Sequence, residues 1–127
     1  MHQHEKLLRT MDEAMAKGDM ETFFGSYTDD VVVHIPGHSS LAGDHKGLDQ
    51  MQALFGRFME GAGEYSFEAH GYIVDDEHGI ILQRSKMSKG GKTLETNDIF
   101  VNHFRDGKIS EFWMYSDKQQ EMDAWLD

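Results

Sequence analysis

Apolar residues recur at three- and four-residue steps through the first half of the chain, then at alternate positions in extended runs. Leu7, Leu8, Met11, Ala14 and Met15 form the stripe of an amphipathic helix from about His4 to Lys17. Gly18 supplies a left-handed stop, and Asp19 can cap a second helix carrying Met20, Phe23, Phe24 and Tyr27. Val31 to Ile35 is a β-branched run that reads as a strand, broken by Pro36-Gly37. A loop rich in Gly, Ser and His follows over 37–46. Leu48, Met51, Leu54, Phe55, Phe58 and Met59 then predict a third helix from about Gly47 to Glu60.

From Glu64 the texture changes. Extended stretches at 64–75, 79–89, 92–104 and 108–116 are separated by the turn formers Asp76-Glu77-His78-Gly79, Gly90-Gly91 and Asp106-Gly107. Helices first and a meander of hairpins afterwards is the α+β pattern, in a single domain over residues 1–127. In the last strand Phe112 and Met114 alternate with Trp113 and Tyr115, and in the preceding one Phe100 and Phe104 oppose Ile99 and Val101. A sheet apolar on both faces needs two covers, and the helices supply one. The expected second cover is another copy of the chain, a homodimer through the open face.

Charge narrows the partners. With 12 basic and 23 acidic side chains the chain carries a formal charge of -11, which repels nucleic acid and anionic lipid surfaces. Cysteine is absent, so disulfides, thiolate zinc sites and cysteine nucleophiles are excluded. Residues 1–6 lack a signal-peptide apolar run and no stretch reaches membrane-spanning length, so a cytoplasmic protein is expected. His34, His38 and His45 stand at spacings that match no recognised metal site, and neither metal nor cofactor is expected. His2 and His4 read as a frayed terminus.

Lys17-Gly18-Asp19, Tyr27-Thr28-Asp29-Asp30 and His34-Ile35-Pro36-Gly37 carry a resemblance to a known family. Ser40-Leu41-Ala42-Gly43 with Gly47, and Asp106-Gly107-Lys108-Ile109 leading to Glu111 and Trp113, extend it over nearly the whole chain. The sequence resembles the NTF2-like superfamily, within it the branch of SnoaL-like and ketosteroid-isomerase-like proteins. That resemblance implies a cone-shaped, cystatin-like fold, with three N-terminal helices packed on a strongly curved, mainly antiparallel sheet around a cavity. It implies a wall that includes Met11, Met15, Tyr27, Ile35, Leu54 and Phe55. Met59, Phe100, Phe112 and Met114 complete that wall, which suits a small, flat, largely apolar molecule. Gln83 and Ser85, with Thr96, are expected to offer neutral hydrogen bonds to it.

Chemistry is less specified than fold, because one fold hosts many reactions. Where ketosteroid isomerases keep a base, a tyrosine and a second acid, this chain resembles them with Ile35, Met11 and Phe100, so their usual mechanism is not expected. An epoxide-hydrolase relay would need arginine where Thr96 stands. Four residues remain as catalytic candidates. His34 stands beside the resembled base position and a neutral imidazole is a competent base. Asp98 is an acid inside an apolar strand, where burial would raise its pKa unless Arg84 or a histidine pairs with it. Asp117 matches the resembled acid of SnoaL-like cyclases, against the alternative of a cap on a C-terminal helix, and Tyr27 assists or packs. Two readings follow: cofactor-free proton transfer on an apolar carbonyl substrate, or a non-catalytic binding or assembly module with the same cavity.

Overall fold

The first helix buries Leu8, Met11 and Ala14 along one side, as their spacing requires, and a computed structural model describes residues 1–127 throughout. This helix, α1, spans Gln3–Lys17, and α2 spans Met20–Gly25 with the Asp19 carboxylate accepting the Thr22 N–H at 3.2 Å. Then come β1 (Tyr27–Ile35), β2 (Gly43–Lys46), α3 (Leu48–Ala62), β3 (Glu64–Val74), β4 (His78–Lys89), β5 (Lys92–Arg105), β6 (Lys108–Ser116) and α4 (Gln119–Leu126). The six strands form one sheet in the order β2-β1-β6-β5-β4-β3. No helix is long and apolar enough to cross a membrane.

The expected three N-terminal helices on a strongly curved, mainly antiparallel cone are corrected here. Only α1 and α2 precede the sheet, because α3 enters after β1 and β2 have already paired. The sheet is mixed and open. β1 runs parallel to β6, while β2 and β3 are free edges rather than the seam of a closed surface. Two element boundaries also differ. Tyr27 opens β1 rather than riding on the second helix, and 43–46 is a strand rather than loop. β2 is Gly-Asp-His-Lys, with no apolar alternation to betray it, and pairs with β1 through its backbone.

The amino terminus is likewise more ordered than expected. The His2 ring accepts the His4 N–H at 3.0 Å and so caps α1. His4 is buried, stacked 3.8 Å over Phe104, with Nδ1 bonded to the Asp75 carbonyl at 3.1 Å.

Alternation sorts the sheet into two faces. Inward go Val31 and Val33 of β1, Ile81, Gln83, Ser85 and Met87 of β4, and Thr96, Asp98 and Asn102 of β5, all buried. Leu8, Val31, Val33 and Ile109 are wholly inaccessible, each worth about 1.5–3 kcal/mol against exposure. A one-residue slip would turn the strand members of that set outward, so packing fixes the register. Gly79 shows how tight the contact is. A methyl group there would sit 2.5 Å from Phe104 Cζ and 2.9 Å from Leu8 Cδ1. The opposite face carries a row in direct register, Ile73–Ile80–Val101–Trp113–His34, beside Leu82–Ile99–Tyr115. Ile73, Ile99 and Tyr115 are exposed on it.

Candidate functional site: a cation-free cavity with two carboxyls

Between the helices and the inner face of the sheet lies a cavity of about 140 Å³. Its volume is close to the roughly 150 Å³ of an engineered apolar cavity that admits benzene. α1 contributes Met11 and Met15, β1 Tyr27 and Ile35, and α3 Leu54 and Phe55. Gln83 and Ser85 of β4, Asp98 and Phe100 of β5, and Phe112 and Met114 of β6 complete the expected lining. Of the expected wall, Met59 is absent; it lies 37% exposed on α3. Thr96 is buried beside the cavity rather than lining it. Aromatic rings pack edge-on or tilted along one side, with Phe23 5.5 Å from Tyr27, and Tyr27 5.8 Å from Phe112.

The polar end is built by strand register. Gln83, Asp98 and Ser116 stand side by side across β4, β5 and β6. Asp98 is 2% exposed, and its Oδ2 accepts the Ser85 hydroxyl at 2.7 Å. Gln83 Nε2 donates to Ser85 Oγ at 3.0 Å and to the Tyr65 hydroxyl at 3.1 Å. Asp98 Oδ1 has no partner, although the Thr96 and Ser116 hydroxyls lie near. No cation compensates it either, since Arg84 points outward to Glu68 at 3.8 Å. Burial therefore raises the Asp98 pKa, against the lowering effect of the Ser85 hydroxyl. Burial likewise pushes the Tyr65 phenol up to about 12, with a further push from the Asp98 charge.

A second carboxyl was not anticipated. Asp12 of α1 lines the cavity and its Oδ2 accepts the Tyr72 hydroxyl at 2.5 Å. Burial raises its pKa from 3.8 to about 6, partly opposed by that hydrogen bond. The Arg9 guanidinium sits 4.5 Å over the Tyr72 ring, outside the cavity. Tyr27 donates to Met11 Sδ at 3.1 Å, and burial followed by the Asp12 charge raises its pKa far above neutrality. No Lys, Arg or His lines the cavity.

One end is closed by α4. Gln119 Nε2 donates to the Pro36 carbonyl at 3.3 Å and to Asp123 Oδ1 at 2.9 Å, while Asp123 Oδ2 accepts the His38 N–H at 2.9 Å. Asp127 accepts the Ser40 N–H at 2.8 Å, and the Trp125 indole donates to the Ala62 carbonyl at 3.1 Å. Gln119, Met122 and Leu126 thereby face the cavity.

His34 and Asp117 are not brought to this site. Val31 and Val33 face inward, so His34 faces outward, stacked 4.7 Å from Trp113. Its ring bridges Asp44 Oδ1 at 2.7 Å and Glu111 Oε2 at 2.6 Å. Burial disfavours the imidazolium, but the Glu111 and Asp44 hydrogen bonds and charges outweigh it and raise the pKa. Asp117 accepts the Asn97 side-chain and backbone N–H groups, each at 2.9 Å, and these hold its pKa low. It is not the cap of α4: Lys118 holds that position and makes no side-chain capping bond. The four-residue alternation of β1 was the signal that would have placed His34 correctly. Asp12 could have been found as the polar neighbour of the Met11–Met15 stripe.

The chain is 27% identical over 124 residues to the uncharacterized protein Rv0034 of Mycobacterium tuberculosis, covering 94% of this chain and 93% of that one. It superposes on Bal32a, from a soil-derived mobile gene cassette, with TM-score 0.91 at 27% identity, covering 98% and 97% of the two chains. A Xanthomonas campestris protein of unknown function with a cystatin-like fold superposes with TM-score 0.90 at 25% identity, covering 97% of each. A SnoaL-like domain matches over residues 8–112, and the chain belongs to the SnoaL-like family.

Proposed function

We propose that the cavity binds a small, uncharged, largely apolar carbonyl compound and that Asp98 exchanges a proton with the carbon next to the carbonyl. The observation that carries this reading is Asp98 itself, buried, without a cation, and with Oδ1 unpartnered at an apolar cavity. A carboxylate so desolvated is a stronger base than one in water, and a positioned base contributes about 10²–10⁴-fold. In the step, the C–H bond breaks, its electron pair moves into the enolate, and the proton passes to Asp98 Oδ1. Ser85, oriented by Gln83 and Tyr65, keeps the other carboxylate oxygen hydrogen-bonded and fixes which oxygen faces the substrate.

Acetophenone in deuterated buffer tests this. The reading expects the protein to accelerate deuterium uptake into the α-methyl group, followed by NMR, and Asp98→Asn to remove about 10²-fold or more of the acceleration. Acetophenone that binds without exchange would favour the second reading, a non-catalytic binding module. The lack of any cation beside the cavity to hold an enolate oxygen is what favours that alternative.

The same reading places a second copy of the chain over the outer face, where Ile73, Ile99 and Tyr115 meet solvent. Sedimentation should show a dimer that Ile99→Asp with Tyr115→Asp converts to monomer. A monomeric wild type would remove this element.

A further inference from the structure

Two buried acceptors have no hydrogen-bond partner, and their residues line the same cavity. One is Asp98 Oδ1. The other is Gln119 Oε1. The orientation of the Gln119 amide is fixed, because its nitrogen donates to both the Pro36 carbonyl and Asp123 Oδ1, which only an N–H can do. Asp98 pairs in register with Ser116, and the Gln119 Cα lies within roughly 11 Å of the Ser116 Cα, three residues along the chain. Both residues line the same cavity.

A buried acceptor without a partner is destabilising, and a ligand that supplies a donor recovers that loss on binding. Asp98 Oδ1 is already assigned above to the reacting C–H. Gln119 Oε1 is not used by that chemistry. Anionic ligands are disfavoured for a separate reason: Asp12 and Asp98 both line the cavity and no Lys, Arg or His does.

Resting on the proton-transfer reading, we propose that the substrate class is a neutral hydroxy-ketone of about one ring, whose hydroxyl donates to Gln119 Oε1. Gln119 is thus a specificity-determining residue supplied by the C-terminal helix, and carboxylated analogues of the same ring are rejected.

Three probes separate the claims, measured by calorimetry at pH 7: acetophenone, 3-hydroxyacetophenone and 3-acetylbenzoate. The wild type should bind 3-hydroxyacetophenone between about three- and tenfold more tightly than acetophenone, the range one hydrogen bond supplies. It should bind 3-acetylbenzoate at least about tenfold more weakly than 3-hydroxyacetophenone. In Gln119→Met, which keeps side-chain length and loses the acceptor, the preference for the hydroxyl should fall to about one. The wild-type comparison stands even if that variant fails to fold. Acetophenone binding with no gain from the hydroxyl, a preference that survives in Gln119→Met, or tight binding of 3-acetylbenzoate would overturn the inference and leave the cavity reading intact. Failure of all three probes to bind would overturn both.

Discussion

Asp12→Asn should make the protein more stable, by an amount that grows as pH rises from 3.8 to about 6. Below pH 3.8 Asp12 is protonated whether the chain is folded or unfolded, and the variant gains nothing. Between 3.8 and about 6 the unfolded chain has released a proton that the folded chain still holds, so the native contribution falls as pH rises. Above about 6 the loss is complete. The interval from 3.8 to about 6, at 1.36 kcal/mol per pH unit, sets it at about 3 kcal/mol. That figure is an upper bound, because Asp12 is only half-buried and solvent screens part of it. Asparagine keeps an oxygen to accept the Tyr72 hydroxyl while removing the charge. Urea unfolding followed by tryptophan fluorescence, wild type against variant from pH 4 to 8, measures the difference directly. The stability advantage of the variant should grow from near zero to about 2–3 kcal/mol. A difference that stays flat, or one in which the variant loses ground as pH rises, would refute the account of a desolvated carboxyl at this wall.

Three further outcomes follow from the packing and electrostatics. Gly79→Ala forces a methyl group against Phe104 and Leu8, and should lower the urea midpoint by the equivalent of about 1–3 kcal/mol; an unchanged midpoint would contradict the close approach. His34 has a raised folded pKa, so its imidazolium contribution is fully present below the unfolded value of 6.5 and disappears as pH rises through the folded value. His34→Gln should therefore destabilise more at pH 6 than at pH 9, and an NMR titration that places His34 below 6.5 would exclude this. Gly37 lies at φ 92, where a side chain would collide with Asp123 and Gln119; Gly37→Ala should speed hydrogen exchange in α4 relative to α1, and equal exchange would show that α4 is not seated through that contact.

The legible part of the chain was whatever periodicity writes strongly. α1, α3 and the hairpins from Glu64 onward follow from apolar spacing and paired glycines, and the methionines and phenylalanines of those segments, Met59 and Phe104 apart, line the cavity. β2 was illegible because an edge strand of Gly43-Asp44-His45-Lys46 pairs through its backbone and buries no side-chain stripe. The spacing puts the third helix in its right place, after the strand at 31–35; only the resemblance groups it with the helices before the sheet. The site divides along similar lines. Asp98 stood out as a charge inside an apolar strand. Asp12 did not, since a carboxylate beside a helical stripe is usually solvated, and its burial depends on Tyr72, sixty residues away. The β3 bulge between Ala69 and Gly71 returns Tyr72 to the inner side, which strict alternation from Tyr65 would not have allowed. Gln119 was hidden because its role depends on how α4 docks on Pro36 and His38, a contact between segments far apart in sequence.

The cavity can be tested through its own methionines. Met11, Met15, Met51, Met87, Met114 and Met122 line it, while Met1, Met20 and Met59 do not. Titration of methyl-labelled protein with 3-hydroxyacetophenone should shift the methyl resonances of the first six and leave the other three in place. Shifts confined to Met1, Met20 and Met59, or no shifts at saturating ligand, would contradict the assignment of this cavity as the binding site.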